Sequence, residues 1–376
     1  MELGTWSYVG AFLASLILAL GLTPLALRIA LRRDVLDHPG DYKHQESPVP
    51  YLGGLAIVIA FSAAILLATV ISTPTGGFRE LAILLGMAML LSLVGLGDDI
   101  RGFHPVFRLA TEIVAALVVI SWSGVSVMLF DSSIANGALT LVWIVGITNA
   151  FNLLDNMDGL SAGTAAIASA TFFVLAIVNG QIAVAALAIA LCGCALGFLR
   201  SNFHPARIYM GDAGSLFLGF VLAVIGVKLR FEAPREVTFM VPVLVLGVAI
   251  FDTTLVTISR ALHRRSLFSG GRDHISHRLV FVGIPIRAAV SLVYAGGLSL
   301  GWLALVMSRT DRTTGFILMG LIVAIALFLG TMLGAVPVYE SSKRKRLMIR
   351  EVSSHENPTD LAEVIPDQRS ASAGPR

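Results

Sequence analysis

The chain alternates long apolar runs with short polar connections, and those runs set its architecture. They lie near residues 6–30, 51–73, 81–97, 109–130, 138–152, 160–178, 182–199, 213–227, 238–258, 280–306 and 314–338. Most approach the ~20 residues that a helix needs to cross the hydrocarbon core of a bilayer. The fifth and eighth are shorter and are expected to be tilted, continued by polar residues, or re-entrant. The ninth is expected to be interrupted at Phe251-Asp-Thr-Thr254. Backbone groups in hydrocarbon must be bonded within their own segment, and the alternation of a membrane β-barrel is absent from the sequence. The pattern predicts an all-α, polytopic membrane protein of about eleven transmembrane helices. Met1–Gly10 has no basic run and leads straight into apolar residues, so a first span is expected there and not a cleaved signal.

Composition agrees: 56% of the 376 residues are apolar, 14% are charged and the mean hydropathy is +0.83. Soluble domains carry roughly a quarter charged residues. If the Met1 end is outside, 21 of the 27 Lys and Arg fall on the inner side, which predicts an outside N-terminus and a cytoplasmic C-terminus. The net charge of +3 then reflects this asymmetry and contact with anionic membrane lipid; no nucleic acid is implied. Residues 1–340 read as one membrane-embedded domain. Residues 341–376 read as a cytoplasmic tail that opens on the basic run Ser341-Ser-Lys-Arg-Lys-Arg346 and is expected to be disordered from about 353. Cys192 and Cys194 read as packing residues. No lysine sits in a P-loop pattern, which argues against ATP-driven transport.

Polar chemistry gathers where the runs end on the inner side. The stretch Asn149-Ala-Phe-Asn-Leu-Leu-Asp-Asn-Met-Asp-Gly-Leu160 places three amides and two acids at the edge of a span, a costly position unless they serve a ligand, a cation or water. If helical, it would put Asn149, Asn152, Asp155, Asn156 and Asp158 on one half of the wheel. The adjacent carboxylates Asp98 and Asp99 repel one another and call for a cation, or for general-base work; Arg108 and Glu112 follow them. At Met210-Gly-Asp-Ala-Gly-Ser215, the free amides of a starting helix suit phosphate oxygens beside Gly211, Gly214 and Ser215. Asp212 there is either a helix cap or a magnesium ligand. Arg272, His274, His277 and Arg278 can bind a metal or a diphosphate, and the crowd of arginines favours the diphosphate. Arg32–Gly54 is either a solvated loop or a basic, glycine-rich wall for a phosphorylated ligand. The inventory fits Mg²⁺-dependent phosphoryl transfer at a membrane surface.

The combination Asp98-Asp99, Asn149-x-x-Asn152-x-x-Asp155-x-x-Asp158-Gly-Leu160, Met210-Gly-Asp-Ala-Gly-Ser215 and Asp273-His-Ile-Ser-His-Arg-Leu279 resembles the polyprenyl-phosphate N-acetylhexosamine-1-phosphate transferases of glycosyltransferase family 4. Within that family it looks most like the bacterial undecaprenyl-phosphate GlcNAc-1-phosphate transferases, and less like the phospho-MurNAc-pentapeptide transferases. The resemblance implies transfer of a sugar 1-phosphate from a UDP-N-acetylhexosamine to polyprenyl (undecaprenyl) phosphate, with release of UMP, on the cytoplasmic side of a bacterial cell membrane. It implies Mg²⁺, with Mn²⁺ as a substitute, held by Asn152 and Asp212. It puts Asp98 beside the lipid phosphate as the base with Asp99 next to it. Asp155 and Asp158 would line the nucleotide-sugar pocket, and His274, His277 and Arg278 would contact phosphate or sugar. Arg108, Asn149, Gly211, Ser215 and Arg272 complete the expected binding set. A homodimer is left open. Asn156, Ser276 and Arg108 depart from residues common in the family: the first leaves the turn geometry there open, and the last two suggest a donor other than GlcNAc, for instance another N-acetylated amino sugar.

Two other classes compete. Gly95-Leu-Gly-Asp98 with Asp252 matches an intramembrane aspartyl protease, and the same acids could serve a cation-coupled transporter. The protease leaves residues 149–160 and 210–215 unexplained. A transporter is expected to show internal repeats and a site near the midplane.

Overall fold

The computed structural model describes residues 5–37, 48–71, 77–266 and 270–339. It is built of helices α1 (Thr5–Arg33), α2 (Gly53–Ile71), α3 (Phe78–Arg101), α4 (Pro105–Ser123), α5 (Ser133–Leu154), α6 (Leu160–Val178), α7 (Ile182–Asn202), α8 (Gly211–Lys228), α9 (Arg235–Val245), α10 (Gly247–Leu262), α11 (Ile275–Phe281), α12 (Ile286–Met307) and α13 (Arg312–Gly334). A two-residue antiparallel pairing of β1 (Leu36–Asp37) with β2 (Val49–Pro50) lies between α1 and α2. Among the described residues ten helices are long and apolar enough to cross a membrane, or eleven if α9 and α10, bent by 76° at their junction, count together as one broken span. The protein is an all-α, multi-pass membrane protein. The end of the first inner connection, through Lys43, and the 341–376 tail lie outside the described residues.

The two short runs are continued by polar residues. α5 reaches 22 residues by taking in Ser133 and Asn136 at one end and Asn149 and Asn152 at the other. α8 reaches 18 by starting at Gly211 and Asp212. The ninth run breaks earlier than expected, at Leu246 between α9 and α10, after Pro242 and before Gly247, a poor helix former. Asp252 therefore lies inside a continuous helix and does not interrupt one. The tenth run is also divided: α11 ends at a turn with Gly283 at φ +98°, and α12 begins only after Pro285.

α8 is apolar on every side after its first turn, and such a helix belongs in the centre. Ala213 to Val227 are all buried, and α8 packs against α2, α3, α5 and α6. Small residues permit the approach: a Cβ at Gly219 would lie 2.8 Å from Thr148 Cα on α5. Trp143 Nε1 donates to Ala223 O at 3.1 Å, and Phe61 meets Phe217 edge to face at 5.5 Å. α13 is the opposite case, burying only Gly315, and its apolar surface faces outward.

Candidate active site

Four helix ends meet at one end of the bundle. The last turns of α3 and α5 and the first turns of α4 and α8 supply Asp98 and Asp99, Asn152, Arg108 and Asp212. Gly102, at φ +65°, closes α3 with its amide on Asp98 O at 2.7 Å, and a short connection returns the chain into α4. That reversal lays Arg108 over the acids. Gly95 allows α3 to press on the start of α8, since a Cβ there would sit 2.5 Å from the Asp212 carbonyl.

Arg108 Nη1 lies 2.5 Å from Asp212 Oδ2 and 3.1 Å from Asp98 Oδ2. Its Nε is 4.0 Å from Oε1 of Glu112, one turn further along α4 and buried. Asn149 donates to the other oxygen of Glu112. Asp98 Oδ1 accepts from the Phe103 amide at 2.5 Å. Asn152 Nδ2 donates to Asp212 Oδ1 at 2.7 Å and to Ser215 Oγ at 2.9 Å. The cation that the paired acids call for is thus, here, a guanidinium held among three carboxylates.

Asp99 departs from its expected place. Its carboxylate accepts the amides of Asp212 and Ala213 at 3.0 and 3.3 Å, so it caps α8 and occupies the N–H groups that the sequence offered to phosphate. Gly211, at φ +66°, is needed there because a side chain would collide with that carboxylate. Gly214 packs against Gly54 of α2, and Ser215 is fully buried under Asn152, so neither faces a ligand.

The helix expected through Asp158 stops sooner. α5 ends at Leu154 and Asp155 is its C-cap; Gly159, at φ +78°, turns the chain into α6. Asn149 and Asn152 are therefore on a helix, whereas Asp155 and Asp158 are presented by a turn, and glycine, not Asn156, carries the left-handed residue. Asp158 Oδ2 accepts from Ala206 N at 2.9 Å and pairs with His204 Nδ1 at 2.7 Å, fastening the turn to the α7–α8 loop. Gly159 is held by Asn202 Oδ1 at 3.0 Å on its amide and Tyr294 Oη at 2.5 Å on its carbonyl. Asp155 has no hydrogen-bond partner for its carboxylate among the described residues. Burial, then the negative charges of Asp212, Asp99 and Asp158, push its carboxyl well above the usual range.

A second polar cluster surrounds α11. Asp252 Oδ2 meets His274 Nδ1 at 2.7 Å while its Oδ1 accepts the Ile275 amide at 2.8 Å, so one acid orients the imidazole and caps the helix. His277 lies 6.1 Å from His274, ring to ring. Arg260 grips Asp273 with two bonds of 2.8 and 2.9 Å, and Tyr339 Oη donates to Asp273 at 2.7 Å. Burial raises the Asp273 carboxyl, but the Arg260 and Tyr339 bonds outweigh it and hold it at about 2. Arg278 is buried, with Nε on Asp273 O, Nη1 on Leu333 O and Nη2 on Ser259 Oγ. Its guanidinium ties α10, α11 and the end of α13 together and is spent on the protein. Arg272 is exposed.

Sequence reasoning missed Glu112 and Asp252 as parts of the site. Glu112 had a readable signal, an acid four residues after Arg108 in an apolar helix. Asp252 had the same one, a lone acid inside a span. The aspartate pair of a protease is not made: Asp98 is engaged by Arg108 and Phe103, and Asp252 by His274 and Ile275. Asp98, Asp99, Asp155 and Asp212 also gather at helix ends. Among the described residues no three His, Cys, Asp or Glu side chains form a closed metal nest.

The sequence profile of glycosyl transferase family 4 matches residues 81–230, from α3 to just beyond α8. The probable undecaprenyl-phosphate N-acetylglucosaminyl 1-phosphate transferase of Bacillus subtilis (strain 168) is 34% identical over 84% of this chain and 89% of its own length. A decaprenyl-phosphate N-acetylglucosaminephosphotransferase of Mycobacterium leprae is 30% identical over 78% of this chain and 82% of its own. A phospho-N-acetylmuramoyl-pentapeptide-transferase of Geobacillus thermodenitrificans is 32% identical over 67% and 81%. These are phosphotransferases, and the likeness extends well past both ends of the profile match. On this basis the chain belongs to glycosyl transferase family 4.

Proposed function

We propose that the protein transfers N-acetylhexosamine 1-phosphate, with GlcNAc 1-phosphate as the first choice, from a UDP-sugar to undecaprenyl phosphate, releasing UMP and starting a lipid-linked cell-surface glycan. The observation that carries this reading is the meeting of Asp98, Arg108, Asn152, Asp155 and Asp212 at four helix ends, in a chain related over most of its length to transferases named for that chemistry. The positive-inside asymmetry supports a cytoplasmic site. Exchange of one phosphoanhydride for another is near energy balance, in keeping with the missing P-loop.

In this mechanism the lipid phosphate approaches the α3–α4 corner and its oxygens compete with Asp98 and Asp212 for Arg108. The guanidinium then holds phosphate, and Asp98, released from it, accepts the acceptor's proton. The phosphate oxygen attacks the β-phosphorus of the donor, whose bond to the α–β bridging oxygen breaks so that UMP leaves with that oxygen. Glu112, held by Asn149, keeps Arg108 in place from behind, and Ser215 supports Asn152. Asp252 fixes the His274 ring for contact with the diphosphate, with His277 alongside. Asp155 faces the donor. Arg278 and Asp158 act as ties in this reading and not as ligand contacts.

A magnesium ion fits the donors at Asp212 and Asn152. Mg²⁺ takes hard oxygens, usually one or two carboxylates completed by phosphate and water, so a closed nest is not required. Asn152 gives its nitrogen to Asp212 and so keeps its amide oxygen for the ion. When bound, the ion would neutralise charge on the donor diphosphate.

The test is a radiolabel transfer assay with purified protein, polyprenyl phosphate and Mg²⁺, offering UDP-GlcNAc, UDP-GalNAc and UDP-MurNAc-pentapeptide in parallel. Lipid-linked sugar from one donor, with UMP release that EDTA stops, is expected. Failure of folded protein with a wide donor panel overturns the reading, and MurNAc-pentapeptide as donor replaces the first choice with the phospho-MurNAc-pentapeptide reaction.

A further inference from the structure

The acid turn and the histidine helix come from distant parts of the chain, and a side-chain hydrogen bond joins them. Asn156 lies between Asp155 and Asp158 in the turn; Ser276 lies between His274 and His277 on α11. Ser276 Oγ donates to Asn156 Oδ1 at 2.7 Å. The direction of this bond is set from both sides. Asn156 Nδ2 donates to Leu153 O at 2.8 Å, which leaves the amide oxygen facing α11. Ser276 is buried, so its hydroxyl has no water to fall back on.

We propose that the Asn156–Ser276 pair is a positioning latch that sets the spacing between Asp155 and the two histidines, and so the fit of the nucleotide sugar. This inference rests on the proposed function, in which the turn and α11 face the donor while Asp98 and Arg108 face the lipid phosphate. The backbone around the latch is held independently: Tyr294 and Asn202 hold Gly159, and Asp252 caps α11. Loss of the latch therefore loosens the distance between two anchored segments and leaves each segment folded. Its effect falls on donor binding more than on the chemical step.

Ser276→Ala and Asn156→Ala are each expected to raise KM for the UDP-sugar about three- to tenfold, the range for one neutral hydrogen bond, with kcat and KM for the lipid phosphate changed less than twofold. Ser276→Thr keeps the hydroxyl and should restore most of the donor affinity. The double variant Asn156→Ala/Ser276→Ala should be no worse than either single one. Additive losses, or a fall in kcat with donor KM unchanged, overturn the latch. Hydrogen exchange on the full-length protein gives a readout free of turnover: either alanine should speed exchange in both 155–159 and 275–281. Faster exchange only in the substituted segment counts against the proposal. An inactive wild-type protein would refute the proposed function, and the exchange result would still decide the latch.

Discussion

Glu112→Gln removes one buried acid and almost nothing else. The side chain keeps its shape, and Gln can still accept from Asn149. What is lost is the attraction to Arg108, whose Nε stands 4.0 Å from Oε1. At an effective dielectric near 20, unit charges at that distance attract by about 4 kcal/mol. Desolvation takes most of this back, and 4.0 Å is too long for a hydrogen bond, so the net attraction is about 1 kcal/mol. If Arg108 is the group that receives the acceptor phosphate, that energy is lost where charge is being moved. The expected result is a fall in kcat/KM for polyprenyl phosphate of about three- to tenfold. Stability should not fall with it, because Gln has no charge to bury, so thermal unfolding in detergent should stay at or above the wild-type midpoint. The assay is UMP release against polyprenyl phosphate concentration at saturating donor. A kcat/KM within twofold of wild type, in monodisperse protein, would refute the view that Glu112 acts through Arg108.

Three further outcomes are expected. Asp212→Asn loses the charge facing Arg108 at 2.5 Å and the acid that would hold magnesium, so activity should drop at least a hundredfold, by about 3 kcal/mol or more, in protein that still elutes as a folded species. Gly211→Ala forces a side chain into a left-handed residue and against Asp99; a cost of about 1–3 kcal/mol and a disturbed α8 cap are expected, read as a lower unfolding midpoint together with lost turnover. Asp273 has a folded-state value of about 2, below the roughly 4 of an unfolded aspartate, so its contribution is complete above about pH 4 and lost as pH falls towards 2. Asp273→Asn should therefore cost about 2 kcal/mol at neutral pH, and its unfolding midpoint should vary less than wild type between pH 4 and 2.

The number of spans, their rough limits and the concentration of chemistry at their ends could be read from the chain, because hydrocarbon enforces length and polarity locally. Asp98, Arg108, Asn152 and Asp212 were found in this way and do converge. What the chain concealed were partnerships. Nothing near Asp99 says that it will cap a helix more than a hundred residues later, and nothing near Ser276 points to Asn156. The position of the ninth break was misjudged because Asp252 seemed too polar for a continuous helix; His274, from the next connection, satisfies it there. Arg278 looked like a phosphate ligand by type and neighbours, but the carbonyls at the end of α13 reach its guanidinium first.

The burial of α8 has a consequence for how sequences of this kind can drift. A helix enclosed on every side has no lipid-facing positions at which one apolar residue can replace another unnoticed, and here the same helix begins with Asp212 of the candidate site. A change of volume anywhere along it is transmitted to Asp212. α13, with little more than Gly315 enclosed, can exchange most of its residues for any of similar hydrophobicity. Saturation mutagenesis should accordingly find α8 nearly closed to substitution and α13 open, with natural variation steered to the periphery.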